Sequence, residues 1–109
     1  MCHCQNCKRR SGGLASYAFL IPKGDVQIKG TTHTEYADHD TLSGKPLRRS
    51  MCSACGSPVR IIEASQPETW CMQYGLFADN ALPKPKLELF AKDACAWENK
   101  VGETVMETA

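Results

Sequence analysis

Cysteines carry most of the chemistry this chain could perform. Cys2, Cys4 and Cys7 stand in Met-Cys-His-Cys-Gln-Asn-Cys, and Cys52 and Cys55 follow far downstream in Cys-Ser-Ala-Cys-Gly. A C-x-C-x-x-C triplet gathers three thiolates within one tight turn, and a C-x-x-C-G turn supplies two more. That layout points to a metal, zinc above all. Five candidate ligands are one more than a closed tetrahedral site needs. Two groupings follow. Cys4, Cys7, Cys52 and Cys55 would close a structural zinc of the ribbon type and leave Cys2 outside. Cys2, Cys4 and Cys7 on one ion would leave a coordination position open, the arrangement of a catalytic zinc. Spacing alone admits both.

The other chemically able residues have blander readings. His3 has a cysteine on either side, which points it away from a metal those cysteines share, so it reads as a residue supporting or walling the site. His33 and His39 read as solvated strand or turn positions, and Asp38-His39-Asp40 as a turn rather than a metal site. Cys71 and Cys95 lie in apolar surroundings as small core residues. Trp70 and Trp97 read as core or rim aromatics, and Asp79 as a lone turn carboxylate.

Bulk properties narrow the setting. The chain has 109 residues, fitting one domain whose modest core would gain from a metal staple. Hydrophobic residues make up 42% and charged residues 23%, which excludes a disordered chain. The net charge is +1, and the densest basic runs are Lys8-Arg9-Arg10 and Arg48-Arg49, so nucleic acid is not an expected partner. No apolar stretch could span a bilayer, and no signal-peptide pattern opens the chain, so no membrane partner is expected. The odd count of seven cysteines and their tight spacing argue for reduced thiols in the cytoplasm rather than disulfides.

The elements that must position these residues read as short strands. A first knuckle at 2–13 ends in a helical turn at Gly12-Gly13. Strands are expected at 15–21, 26–29, 32–37, 47–51, 59–64, 69–76 and 86–91, separated by turn chemistry such as Ser43-Gly44-Lys45-Pro46 and Pro83-Lys84-Pro85. The second knuckle sits between two of these strands, where Gly56 lets backbone amides turn towards the sulfurs. The polar tail 98–109 is expected to be loosely held. The fold class is mainly β.

Together Cys2-His3-Cys4-Gln5-Asn6-Cys7, Ser43-Gly44-Lys45, Arg48 and Cys52-Ser53-Ala54-Cys55-Gly56-Ser57-Pro58 resemble the glutathione-dependent formaldehyde-activating enzyme family, also called the CENP-V/GFA domain. Gly75-Leu76-Phe77-Ala78-Asp79, Pro83-Lys84-Pro85 and Trp97 support the likeness, which runs from residue 2 to about 97. The resemblance implies an Mss4-like (β-tent) zinc-binding domain of short antiparallel strands with two zinc sites. Cys2, Cys4 and Cys7 would hold the catalytic zinc, and Cys52 and Cys55 would share a structural zinc with an earlier C-x-C. It implies a carbon–sulfur lyase that joins or parts glutathione and formaldehyde as S-hydroxymethylglutathione, with a small thiol adduct as partner.

One departure is expected to matter. The family's earlier C-x-C and its strand would precede residue 2, so the zinc domain, residues 1–97, is read as N-terminally incomplete. Cys52 and Cys55 would then keep half a ligand set, and an unpaired sheet edge would favour a homo-oligomer. Two other readings stand beside the enzyme. One is a non-enzymatic module pinned by a single four-cysteine zinc. The other, a methionine sulfoxide reductase-like enzyme using Cys95, finds no matching nucleophile motif in Asp93-Ala94-Cys95-Ala96-Trp97.

Overall fold

The computed structural model describes residues 1–77, 79 and 81–109; Ala78, part of the 75–79 stretch singled out above, lies outside the described residues. The chain is mainly β and forms two compact units, one from Met1–Tyr17 with Phe77–Ala109, the other from Ala18–Leu76.

The Ala18–Leu76 unit is a five-stranded antiparallel sheet in the order β1-β5-β4-β3-β2. Its strands are β1 (Ala18–Pro22), β2 (Thr34–Asp38), β3 (Leu47–Met51), β4 (Pro58–Glu63) and β5 (Thr69–Gln73). Each is short because turn-forming residues bound it, and Pro22 ends β1 in a 3-10 turn, Lys23–Asp25. Apolar burial is thin. Ile62 and Met72 are the buried apolar side chains of these strands, alongside buried Asp38, Arg49, Ser50 and Gln73.

Paired polar groups therefore complete this interior. Arg49 Nε donates to Asp38 Oδ2 at 2.6 Å. Glu35, Ser50 and Arg60 form one cross-strand row, in which Arg60 Nε donates to Ser50 Oγ at 3.0 Å and Ser50 Oγ to Glu35 at 3.3 Å. The Arg60 guanidinium also lies 4.0 Å over the ring of Trp70. Among the described residues no buried side-chain nitrogen or oxygen lacks a partner.

In the other unit, helix α1 (Gln5–Ser11) follows the first cysteines. Gly12 ends it at φ +70°, its N–H returning to the Lys8 carbonyl oxygen at 3.0 Å, and Lys8, Arg9 and Arg10 complement the negative end of the helix. A parallel pair, β6 (Leu87–Glu88) and β7 (Thr104–Val105), completes its regular structure. No helix among the described residues is long and apolar enough to cross a membrane.

Five expectations change. The run 69–76 is strand only to Gln73, and Tyr74–Phe77 form a 3-10 turn. Residues 26–29 form no strand: after the 3-10 turn they run to Gly30 at φ +96°, and the sheet edges are already β1 and β2. The run 15–21 divides, because Ser16 pairs with Cys2 while the strand proper starts at Ala18. Of 86–91 only Leu87–Glu88 is strand, since Phe90 takes a left-handed φ of +55° and opens a 3-10 turn, Ala91–Asp93. The tail is tied down. Thr104 N–H donates to the Lys86 carbonyl at 2.9 Å, Met106 to Glu88 at 2.8 Å and Phe90 to Thr108 at 3.2 Å. Polar composition hid this because backbone hydrogen bonds, not apolar side chains, hold the segment.

Candidate metal centre

The first cysteine is positioned by backbone pairing. Cys2 bridges Ser16 on one side, with N–H···O distances of 2.9 Å in both directions, and Leu89 on the other. Flanking bonds lock that strand: His3 N–H to the Leu89 carbonyl at 3.0 Å, Leu89 N–H to Met1 at 2.9 Å, and the terminal ammonium to Leu87 at 2.7 Å. The other two cysteines are positioned by α1. Cys4 is its N-cap, with extended backbone, and its sulfur accepts the Cys7 N–H at 3.4 Å. A C-x-x-C spacing places the second thiol one turn above the cap, on the same side. Further along α1, the Lys8 ammonium donates to the Asp93 carbonyl.

Strand and helix together bring Sγ of Cys2, Cys4 and Cys7 within 4.8 Å of one another, all three half-buried. The sulfurs polarise each other. A hydrogen bond from the Cys7 thiol draws Cys2 down to about 6, against its burial and with help from Cys4, and the same bond pushes Cys7 well above the ordinary thiol range. A cluster of soft sulfurs in which one thiol is already acidic is suited to a thiophilic cation.

His3 turns its ring elsewhere. Only 2% exposed, it directs Nε2 to Glu88 Oε1 at 2.7 Å, while Nδ1 lies 3.3 Å from the Leu14 carbonyl oxygen and 3.7 Å from Glu98 Oε1. Glu88 is fully buried, and its other oxygen accepts the N–H groups of Val101 at 2.9 Å and Gly102 at 2.8 Å. Burial alone would raise this carboxyl, but the Gly102 N–H, the His3 ring and the Val101 N–H outweigh it and hold it below the ordinary carboxylate value. Glu98 is lowered chiefly by the Cys95 N–H, and the Tyr17 phenol is raised by burial and by Glu88 and Glu98.

Cys52 and Cys55 lie in the sheet unit, in the turn joining β3 to β4. Cys52 N–H donates to the Ser57 carbonyl at 2.9 Å, and Gly56, at φ +75°, returns its N–H to Cys52 at 2.8 Å. The turn thus uses the glycine as its sequence suggests. Cys55 is exposed, 3.1 Å from the Ser57 hydroxyl, and its thiol is lowered by Ser57 first and Cys52 after. The sheet ends beside this turn with a register shift at Ser50/Met51.

Remaining candidates fall outside these clusters. Asp38 ends β2, paired with Arg49, and its Oδ1 accepts the Asp40 N–H at 3.1 Å, so its carboxylate is engaged within the chain. Cys71 is half-buried, and burial raises its thiol to about 11. Trp97 is 73% exposed, and Asp79 is exposed in a turn. Glu88 is the site residue that sequence reading misses. In Lys86-Leu-Glu-Leu, alternation places the leucines inward, yet Leu87 is 39% exposed and Glu88 buried.

Comparison with known proteins bears on the first knuckle and most of the chain beyond it. The family model described as glutathione-dependent formaldehyde-activating enzyme matches residues 1–93. No curated protein matches the chain significantly.

Proposed function

Since the chain belongs to the glutathione-dependent formaldehyde-activating enzyme family, we propose that it is a zinc-dependent carbon–sulfur lyase. Its substrate would be a glutathione adduct such as S-hydroxymethylglutathione, formed by the same enzyme in the opposite direction. Family membership supports glutathione-dependent, formaldehyde-activating chemistry in general. The observation that carries the zinc reading is the convergence of Cys2, Cys4 and Cys7, with sulfurs within 4.8 Å of one another.

That donor set fits the ion. Zinc bound at roughly 2.3 Å to tetrahedrally disposed sulfurs needs them about 3.8 Å apart, and the triad meets this with shifts of about an ångström or less. Cys2, Cys4 and Cys7 would hold the ion. Zinc bound by three protein thiolates keeps one position for a substrate thiol and lowers that thiol's pKa towards neutrality.

The chain's own part is to hold the three sulfurs convergent. Backbone pairing with Ser16 and Leu89 fixes Cys2, and the capped first turn of α1 fixes Cys4 against Cys7. In the forming direction the substrate sulfur's electron pair attacks the formaldehyde carbon, the C=O pair moves to oxygen, and the oxygen takes a proton. In the lyase direction the hydroxyl proton leaves, C=O reforms, and the C–S pair returns to sulfur. The inclusion of Cys2 in the cluster favours this open triplet over a closed four-cysteine module. Seven unpaired thiols also suit a reducing, cytoplasmic setting.

The test is exchange NMR of glutathione, formaldehyde and their adduct, run beside zinc analysis of wild type and Cys2→Ser. The expected result is exchange at least about tenfold above the uncatalysed rate, with about one zinc per chain lost in the variant. Zinc unchanged in Cys2→Ser, or wild-type exchange at the background rate, refutes the proposal.

A further inference from the structure

We infer that His3 and Glu88 are positioning residues that couple the thiol triad to the C-terminal segment, so that loading Cys2, Cys4 and Cys7 with metal and docking residues 101–106 are one linked event. The inference rests on the metal-centre reading above.

His3 is joined to the thiols through the main chain. It lies between two of the three thiols, so any movement of its backbone moves both. Glu88 holds the His3 ring at Nε2, Nδ1 lies 3.3 Å from the Leu14 carbonyl oxygen, and only 2% of the residue is exposed. Because the Glu88 carboxylate is an acceptor, Nε2 carries the proton of this 2.7 Å bond.

Glu88 divides its two oxygens between distant parts of the chain. Oε1 takes His3, 85 residues away, and Oε2 takes the N–H groups of Val101 and Gly102 at 2.9 and 2.8 Å. Its main chain is shared in the same way: the Glu88 carbonyl accepts the Met106 N–H at 2.8 Å, while the next residue, Leu89, pairs with Met1 and His3. The tail thus reaches the thiol loop through the buried Glu88 carboxylate and the adjoining strand, with Glu98 also 3.7 Å from His3 Nδ1.

Such an arrangement has a consequence that ordinary packing lacks. If residues 101–106 undock, the Oε2 side of a fully buried carboxylate loses its donors, and the desolvation cost falls on the same group that fixes His3. If metal draws the thiols into one geometry, His3 and Glu88 are held in the geometry that receives Val101 and Gly102. Linkage is reciprocal, so each event strengthens the other by one factor. The path is a chain of direct hydrogen bonds rather than mere nearness.

Two measurements test this. In the wild-type chain, amide hydrogen exchange at Val101 and Gly102 is followed by NMR before and after adding zinc. Coupling of ordinary strength slows both amides by about 5- to 150-fold. In variants, metal affinity and the visible spectrum of bound Co2+ are measured for His3→Leu, His3→Gln and Glu88→Gln. His3→Leu and Glu88→Gln should weaken metal binding by about 10- to 100-fold and alter the Co2+ bands. His3→Gln, whose amide nitrogen can donate from near the Nε2 position, should stay within about threefold of wild type. Asp38→Asn, which breaks the buried pair of the sheet unit, is the control for destabilisation alone and should leave the Co2+ spectrum unchanged.

The two readings fail differently. Wild-type protein that binds no stoichiometric Co2+, or Cys2→Ser that still binds it, overturns the metal centre and this inference with it. Metal lost in Cys2→Ser, but unchanged affinity and spectrum in the His3 and Glu88 variants, overturns only the coupling. So does zinc binding that leaves the Val101 and Gly102 amides exchanging at the same rate, a result that does not depend on any variant folding.

Discussion

Gly102 is pressed so closely on Glu88 that a Cβ built on it would stand 2.7 Å from Glu88 Cβ and 3.2 Å from Glu88 N. Neither atom is the free end of a side chain, so no rotamer change relieves the contact. Glycine is needed here for close approach rather than for φ. Gly102→Ala should lower stability by about 1–3 kcal/mol, the usual cost of overpacking. Gly24→Ala, with open space where a Cβ would stand, should change stability by less than about 0.5 kcal/mol. Urea unfolding of both variants checks this, and equal losses would contradict the close approach.

The buried Arg49–Asp38 pair should be costly to halve. Arg49 is 5% and Asp38 1% exposed, with 2.6 Å between Nε and Oδ2. Arg49→Met leaves Asp38 buried without its cation and should cost about 3–5 kcal/mol. Adding Asp38→Asn should recover part of that loss, because the uncompensated charge is gone. A double variant less stable than Arg49→Met would show that the carboxylate is stabilised by something other than Arg49.

Much of the sheet was readable because its signals are local. Residues 47–51 lie between the turn residues Ser43-Gly44-Lys45-Pro46 and the second cysteine knuckle, and β3 occupies them. The thiol triad was readable in part because C-x-C-x-x-C keeps three thiols within five positions of one another, but the pairing of Cys2 with Ser16 and Leu89 that completes the convergence was not. Glu88 was not, since its burial depends on His3, 85 residues away, and on two backbone N–H groups of the tail. Residues 26–29 misled for the opposite reason. Their alternation is real, but a strand exists only with a neighbour to pair with, and periodicity carries no information about that.

Acid should weaken the sheet partly through Glu35. Its carboxyl is held below the ordinary range, first by the Arg48 side chain and then, against burial, by Arg60. A lowered folded pKa means that the unfolded chain takes up the proton first as pH falls. The contribution is therefore complete above the ordinary carboxylate value of about 4.3 and is lost as pH falls through the lower folded value. Glu35→Gln should lower the urea midpoint at pH 7 and give a shallower loss of stability below about pH 4.3. Because the Glu35 side chain is 29% exposed, added salt should shrink the difference at pH 7. Identical pH profiles for the two proteins would remove Glu35 from the account of acid sensitivity.

Alkylation should map the metal centre cysteine by cysteine. In chelator-treated protein the half-buried thiols of Cys2, Cys4 and Cys7 are open to a small reagent such as iodoacetamide. Zinc should protect these three together, because a thiolate bound to the ion has its reactive electron pair engaged. Cys71 supplies an internal contrast. Burial holds its thiol at about 11, so only about one molecule in ten thousand carries the thiolate at pH 7. It should react slowly, and equally slowly with and without zinc. Peptide mass spectrometry at matched times reads all of these sites in one digest. Protection of Cys4 and Cys7 with Cys2 left reactive would favour a closed site without Cys2. Joint protection of all three is the pattern the convergent sulfurs require.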